Sequence, residues 1–275
     1  RPPIRRVGKY RFAEPRRLAG HRRRDARLDP RVGAATGVGG LALLVVRDPS
    51  ERLLDGLLGF TAGIMLAATA FSLLVPALDL GTVSEVILGF AVGGVVLLVL
   101  DRLVPHVHAR FAEPGHTLDP RKRQAGLLLS ALTIHNVPEG VAVGVAFAAG
   151  GSDLGIPIAL AIGIQNIPEG FAAGAPLVRD NRYLAAGLAA ATGIVEPPAA
   201  LIAFAAFEVA ESLLPLGLGF AAGAMLYVVV DELVPESHLR GHDRLASGAL
   251  LGGFALMMTL DNALGQRRRA FAALS

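Results

Sequence analysis

The stretch LGFTAGIMLAATAFSLLVPAL, Leu58 to Leu78, returns as LGFAAGAMLYVVVDELVPESH, Leu218 to His238. The shift that takes Leu58 to Leu218 also carries Asp101 onto Asp261, each preceded by a leucine. Each copy is an apolar run long enough for the roughly 20 residues that cross a hydrocarbon layer. Helices rich in small residues can resemble one another by chance. The shared LGF, AG, ML and LVP elements tell against that here.

Outward from these copies the apolar runs continue. Helices are expected over 33–46, 52–78, 86–104, 124–149, 155–178, 183–208, 214–236 and 246–265. Spans two and three then match spans seven and eight. Span seven comes five crossings after span two, so the copies point in opposite directions, as in the inverted repeats of many secondary transporters. The expected fold is all-α: a polytopic membrane protein of eight transmembrane helices in a 3+2+3 arrangement. The first run is short for a span, and the chain lacks an initiator Met, so the natural start of that helix is expected to be missing or replaced.

Composition agrees. Hydrophobic residues make up 53% and charged residues 18%, against about 25% charged in a typical soluble domain. Residues 1–31 hold 12 Lys/Arg against 3 acids, which leaves 14 against 20 for the rest. That segment therefore reads as a disordered basic arm, 32–265 as the membrane domain and 266–275 as a short tail. No aromatics interleave with the arginines in a stacking pattern, so nucleic acid is not an expected partner. Cysteine is absent, which excludes disulfides and thiolate metal sites.

Lys and Arg fall in alternate loops. Arg47 and Arg52, Arg102 to Arg123, Arg179 and Arg182, and Arg240 and Arg244 follow spans one, three, five and seven. The intervening loops carry Asp79, Glu85, Asp153, Glu208 and Glu211. The positive-inside rule puts the basic loops in the cytoplasm and both termini outside. The basic arm and Arg267 to Arg269 run against this, but the internal loops outnumber them as witnesses.

Two near-identical motifs lie between the copies: HNVPEG at His135 to Gly140 and QNIPEG at Gln165 to Gly170. Each sits mid-span, and Glu196 sits mid-way along the next. An uncompensated charge there costs roughly 2.5–3.5 kcal/mol on insertion scales. No Lys or Arg lies near the middle of any span, so a bound cation is the natural counter-charge. Residues four apart share a helix face, which pairs His135 with Glu139 and Gln165 with Glu169. Imidazole with carboxylate oxygen suits zinc, iron or manganese better than calcium. A single buried His is usually a satisfied core residue; two such pairs plus a third carboxylate at one depth read as a site.

HNVPEG, QNIPEG and the following GIVEPPAAL, Gly193 to Leu201, resemble the ZIP (Zrt/Irt-like) divalent metal transporters, particularly bacterial members, from about Ala34 to Gly265. The resemblance implies eight core spans and a two-metal centre between spans four, five and six. Carried over by position, His135, Glu139, Gln165 and Glu169 would hold the transported metal. Asn136, Asn166 and Glu196 would join the glutamates around a second. Some relatives have Asp where Asn166 stands, which puts occupancy of that second site in doubt. Zinc is the leading substrate, as one ion or two, with cadmium, iron and manganese as alternatives.

Further candidates mark a path. Met65 and Ser72 would line the outer approach. Asp231 and Glu232, about two turns or more below the site, would pass the ion to His106 and His108 in one internal loop and His238 and His242 in another. Expected partners are the metal ion and the lipid bilayer, in a bacterial plasma membrane, with a homodimer left open. An intramembrane zinc hydrolase is the alternative function. It lacks the H-E-x-x-H motif and a general base beside an open metal position.

Overall fold

The computed structural model describes residues 34–46, 48–111 and 120–272, so the basic arm lies outside it. Nine helices are numbered here among the described residues: α1 Ala34–Ala42, α2 Glu51–Leu80, α3 Val83–Phe111, α4 Pro120–Gly150, α5 Ser152–Gly174, α6 Val178–Thr192, α7 Glu196–Val209, α8 Glu211–Ser237 and α9 Asp243–Ala272. No strand occurs among these residues. The chain is thus all-helical, as expected. Five continuous helical stretches are long and apolar enough to cross a membrane, one of them being the 58-residue run Ser152–Val209. At 1.5 Å per residue that run is far longer than one crossing. Asn181 breaks it, with an extended backbone at φ −156°, ψ 102°, and its side chain caps the next turn by accepting from the Tyr183 and Leu184 amides.

Local chemistry sets the other boundaries. Ser50 caps α2, its hydroxyl accepting from the Leu53 amide at 3.2 Å. Gly151 (φ 57°) and Gly241 (φ 83°) make the turns into α5 and α9, in a region of backbone space that suits glycine. Two helix ends differ from expectation: α3 continues to Phe111 and α9 to Ala272. His106 and His108 therefore lie on a helix rather than in a loop. Their side chains lie outside the described residues.

The helices pack in two sets. In one, α2 pairs with α9 and α3 with α8; in the other, α4 pairs with α7, and α1 lies against α5 and α6. The sets meet where α8 touches α4 and α2 touches α5. Glycines make the first set tight. A Cβ on Gly63 would stand 1.9 Å from the Leu250 carbonyl oxygen, and one on Gly223 would stand 1.9 Å from that of Phe90. Gly93 meets the Phe220 oxygen at 2.0 Å, and Gly253 meets that of Phe60 at 2.1 Å. These contacts come in matched pairs. The shift that relates Leu58 to Leu218 also relates Gly63 to Gly223 and Phe90 to Leu250, and likewise Gly93 to Gly253 and Phe60 to Phe220.

Both α2 and α8 contain a π-helical segment, Ala68–Leu74 and Val229–Leu233. Such segments widen the helix and often sit at functional places. Here they also absorb a register slip. The LVP tripeptides at 74–76 and 233–235 fall one position short of the shift that relates Leu58 to Leu218, and the π segments, seven and five residues long, lie in the stretch where that slip occurs.

Candidate metal centre

Both PEG motifs stay helical. Helices α4 and α5 run straight through Pro138 and Pro168, and the glycine after each glutamate lets a neighbouring backbone in. A Cβ on Gly140 would meet the Glu196 carbonyl oxygen at 2.4 Å, and one on Gly170 would meet that of Thr36 at 2.2 Å. Gly140 thereby brings the first turn of α7 onto α4, and Gly170 brings α1 onto α5. Glu196 opens α7 directly before Pro197 and Pro198, where missing amide donors cost nothing.

This packing collects His135, Asn136, Glu139, Gln165, Asn166, Glu169 and Glu196, each no more than 5% exposed. Amide groups from α5 take one oxygen of two carboxylates. Gln165 Nε2 donates to Glu139 Oε1 at 2.7 Å, and Asn166 Nδ2 donates to Glu196 Oε1 at 2.8 Å. The other oxygens are left over. Among the described residues, eight buried side-chain atoms have no hydrogen-bond partner, and seven belong to this cluster. Six of those are oxygens: Asn136 Oδ1, Glu139 Oε2, Gln165 Oε1, Asn166 Oδ1, Glu169 Oε1 and Glu196 Oε2. Buried polar atoms are nearly always satisfied. Six orphaned oxygens on three adjacent helices, three of them on carboxylates, are donors of the kind a divalent cation takes. Among the described residues no three His, Cys, Asp or Glu side chains alone make a metal-holding group, and amides supply half of these oxygens.

His135 stands apart from the expected quartet. Its Nε2 makes a short contact with Glu232 Oε1 from the π segment of α8, rather than turning to Glu139. Glu232 had been expected two turns below the site. Counting depth along one helix misses the packing of α8 on α4 and the widened turn at the π segment, which bring this carboxylate to the imidazole. Asp231 and Glu232 line a cavity of about 260 Å³ that leads from Glu169 and His135 to Glu236 and Arg240. Met65 is packed in the apolar core at 1% exposure, and Ser72 donates to Asp261 Oδ1 at 2.9 Å. Neither lines this cavity.

The loop histidines have structural partners. His238 bridges the Val234 carbonyl and the Ser247 hydroxyl. His242 Nδ1 lies 3.0 Å from Asp55 Oδ2, while Arg240 Nη1 donates to Asp55 Oδ1 at 3.0 Å and its Nη2 contacts Glu236. Asp55 is fully buried. It and Thr36, whose hydroxyl donates to Glu196 Oε1 at 3.1 Å, are among the residues near the centre that sequence reasoning missed.

Comparison with known proteins follows this geometry. The profile of the ZIP Zinc transporter family matches residues 112–261. The zinc transporter GufA of Myxococcus xanthus is 41% identical over 244 residues, covering 85% of this chain and 96% of the relative. Zinc transporter ZIPB of Bordetella bronchiseptica is 41% identical over 243 residues, with 84% and 78% covered. Human zinc transporter ZIP11 is 33% identical, with 84% and 94% covered.

Proposed function

The chain belongs to the ZIP zinc transporter family, and on that premise we propose that the cluster of orphaned oxygens is the station through which its cation crosses the membrane. The chain is a multi-pass membrane protein that transports divalent metal cations, zinc being the substrate named for its relatives. The observation that carries the site is the concentration of unpartnered buried oxygens on α4, α5 and α7. The hydrolase alternative gains no support from these relatives.

In this reading eight spans cross the bilayer as a 3+2+3 inverted repeat, with both termini outside and the basic loops in the cytoplasm of a bacterial cell. The matched pairs of glycine contacts support the repeat. Glu236 and Arg240 also line the cavity beside His135 and Glu169, and Arg240 belongs to one of the basic loops, which supports reading this conformation as inward-facing. Glu139, Gln165 and Glu169 hold the ion. His135 joins them when it releases Glu232, and Asp231 and Glu232 are the next anionic stops. Asn136, Asn166 and Glu196 hold a second ion where one binds. Cadmium, iron and manganese are the alternative substrates for the same oxygens. The set α1 with α4 to α7 moves against α2, α3, α8 and α9, since glycine-tight pairings hold each set together and the cation site lies on the first.

The test is zinc entry into proteoliposomes that enclose a zinc indicator. Wild-type protein carries zinc, while Glu139→Ala and Glu169→Ala, reconstituted in equal amounts, do not. Full flux in either variant overturns the site.

A further inference from the structure

We propose that Thr36 of α1 is a positioning residue of the second-ion part of the cation site, holding Glu196 as a one-oxygen ligand and so favouring zinc there over cations that need more oxygens. The inference rests on the transport reading above. Helix α1 is the shortest of the nine, and its glycines settle its place. A Cβ on Gly39 would stand 2.0 Å from the Ile167 carbonyl oxygen, and one on Gly40 would stand 2.8 Å from that of Ala186. Helix α1 is thus wedged backbone to backbone between α5 and α6. From the other side, a Cβ on Gly170 would press on both the carbonyl oxygen and Cγ2 of Thr36, at 2.2 and 3.2 Å. Thr36 is 1% exposed, and its position is fixed by the chain around it.

Its hydroxyl donates to Glu196 Oε1 at 3.1 Å, the same oxygen that accepts from Asn166 Nδ2 at 2.8 Å. Two donors from two helices fill the two lone-pair directions of that atom. Oε2 has no partner. The carboxylate is therefore anchored by one oxygen and presents the other to the cluster. A glutamate held this way cannot clasp a cation with both oxygens. Zinc is satisfied by about four ligands, one atom from each. Manganese prefers about six oxygens, and cations of high coordination number draw on two-oxygen carboxylates. Losing the Thr36 anchor frees Glu196 to rotate, which weakens the pre-set zinc geometry and admits the two-oxygen mode.

The test compares Thr36→Ser with Thr36→Ala, which differ by one hydroxyl and lose the same methyl. Purified protein is titrated with zinc alone and with manganese alone, and flux of each ion is measured in proteoliposomes. Losing a hydrogen bond to a charged group makes Thr36→Ala roughly tenfold weaker for zinc. That appears in titration as weaker binding of the second ion, the one Glu196 ligates, and the zinc-to-manganese preference at that position narrows. Thr36→Ser stays near wild type in both. Thermal unfolding checks that each variant is folded. Should Thr36→Ala not fold, Thr36→Val, which keeps the shape without the hydroxyl, takes its place. Equal zinc affinity and preference in the hydroxyl-bearing and hydroxyl-free variants overturns the role of Thr36. Wild-type protein that binds zinc but carries none would instead overturn the transport reading, while the titrations still decide the role of Thr36.

Discussion

Replacing Gly63 or Gly223 by alanine tests the packing on which the rest of the architecture stands. In either variant the new methyl carbon would lie 1.9 Å from a carbonyl oxygen on the facing helix. Carbon and oxygen in contact sit about 3.3 Å apart or more, so the helices must separate by roughly an ångström or tilt. Overpacking usually costs about 1–3 kcal/mol, and here the obstacle is backbone that cannot change rotamer, so the upper end applies. Alanine regains about 1 kcal/mol of helix propensity, leaving a net loss of about 2 kcal/mol. For a chain of this size about 2–4 °C is lost per kcal/mol, so melting in detergent should fall by roughly 4–8 °C. The two variants should fall alike, since they make the same contact in the two matching stretches. Gly187→Ala and Gly248→Ala are the controls. A Cβ at either position meets nothing within 4 Å, so these variants should melt at or slightly above the wild-type temperature. Gly63→Ala melting with the controls would refute the close approach of α2 and α9.

Three other outcomes are expected. Glu232→Gln removes the carboxylate that engages His135, so zinc should bind up to roughly tenfold more tightly, from the loss of one charge-assisted hydrogen bond, while flux falls; unchanged affinity in titration would contradict this. Asp55→Ala takes one of two carboxylate partners from the partly buried Arg240, which keeps Glu236, and leaves His242 without Asp55; this should cost about 1–3 kcal/mol, seen as a drop in melting temperature, with Asp55→Asn losing less. Asn166→Asp adds a carboxylate beside Glu196 and should raise zinc stoichiometry at low free zinc, whereas the same stoichiometry as wild type in native mass spectrometry would count against a second site there.

The helical class and the centre were legible in the sequence for physical reasons. Charge in the middle of an apolar run is costly, so Glu139, Glu169 and Glu196 announce themselves, and i, i+4 spacing groups them with their neighbours. What stayed hidden depends on contacts between helices. Thr36 is one hydroxyl in a short Gly-rich run, with nothing local to separate it from a packing residue. Asp55 sits one turn into α2 beside Glu51 and Arg52, where an acid looks like ordinary end-of-helix polarity; only the fold carries Arg240 and His242 to it. Glu232 was visible but misplaced, because a π segment changes which way a side chain leaves the helix. For His238, a candidate on the ion path, nothing in the sequence hinted that its ring nitrogens meet the Val234 carbonyl and the Ser247 hydroxyl.

The central claim is tested most directly by anomalous scattering at the zinc edge from crystals soaked in zinc. The account predicts a strong peak between α4, α5 and α7, within bonding distance of Glu139 and Glu169 oxygens, that vanishes in Glu169→Ala. A peak confined to the Asp55, Glu236 and His242 group at the cavity mouth, with none among the six orphaned oxygens, would contradict it.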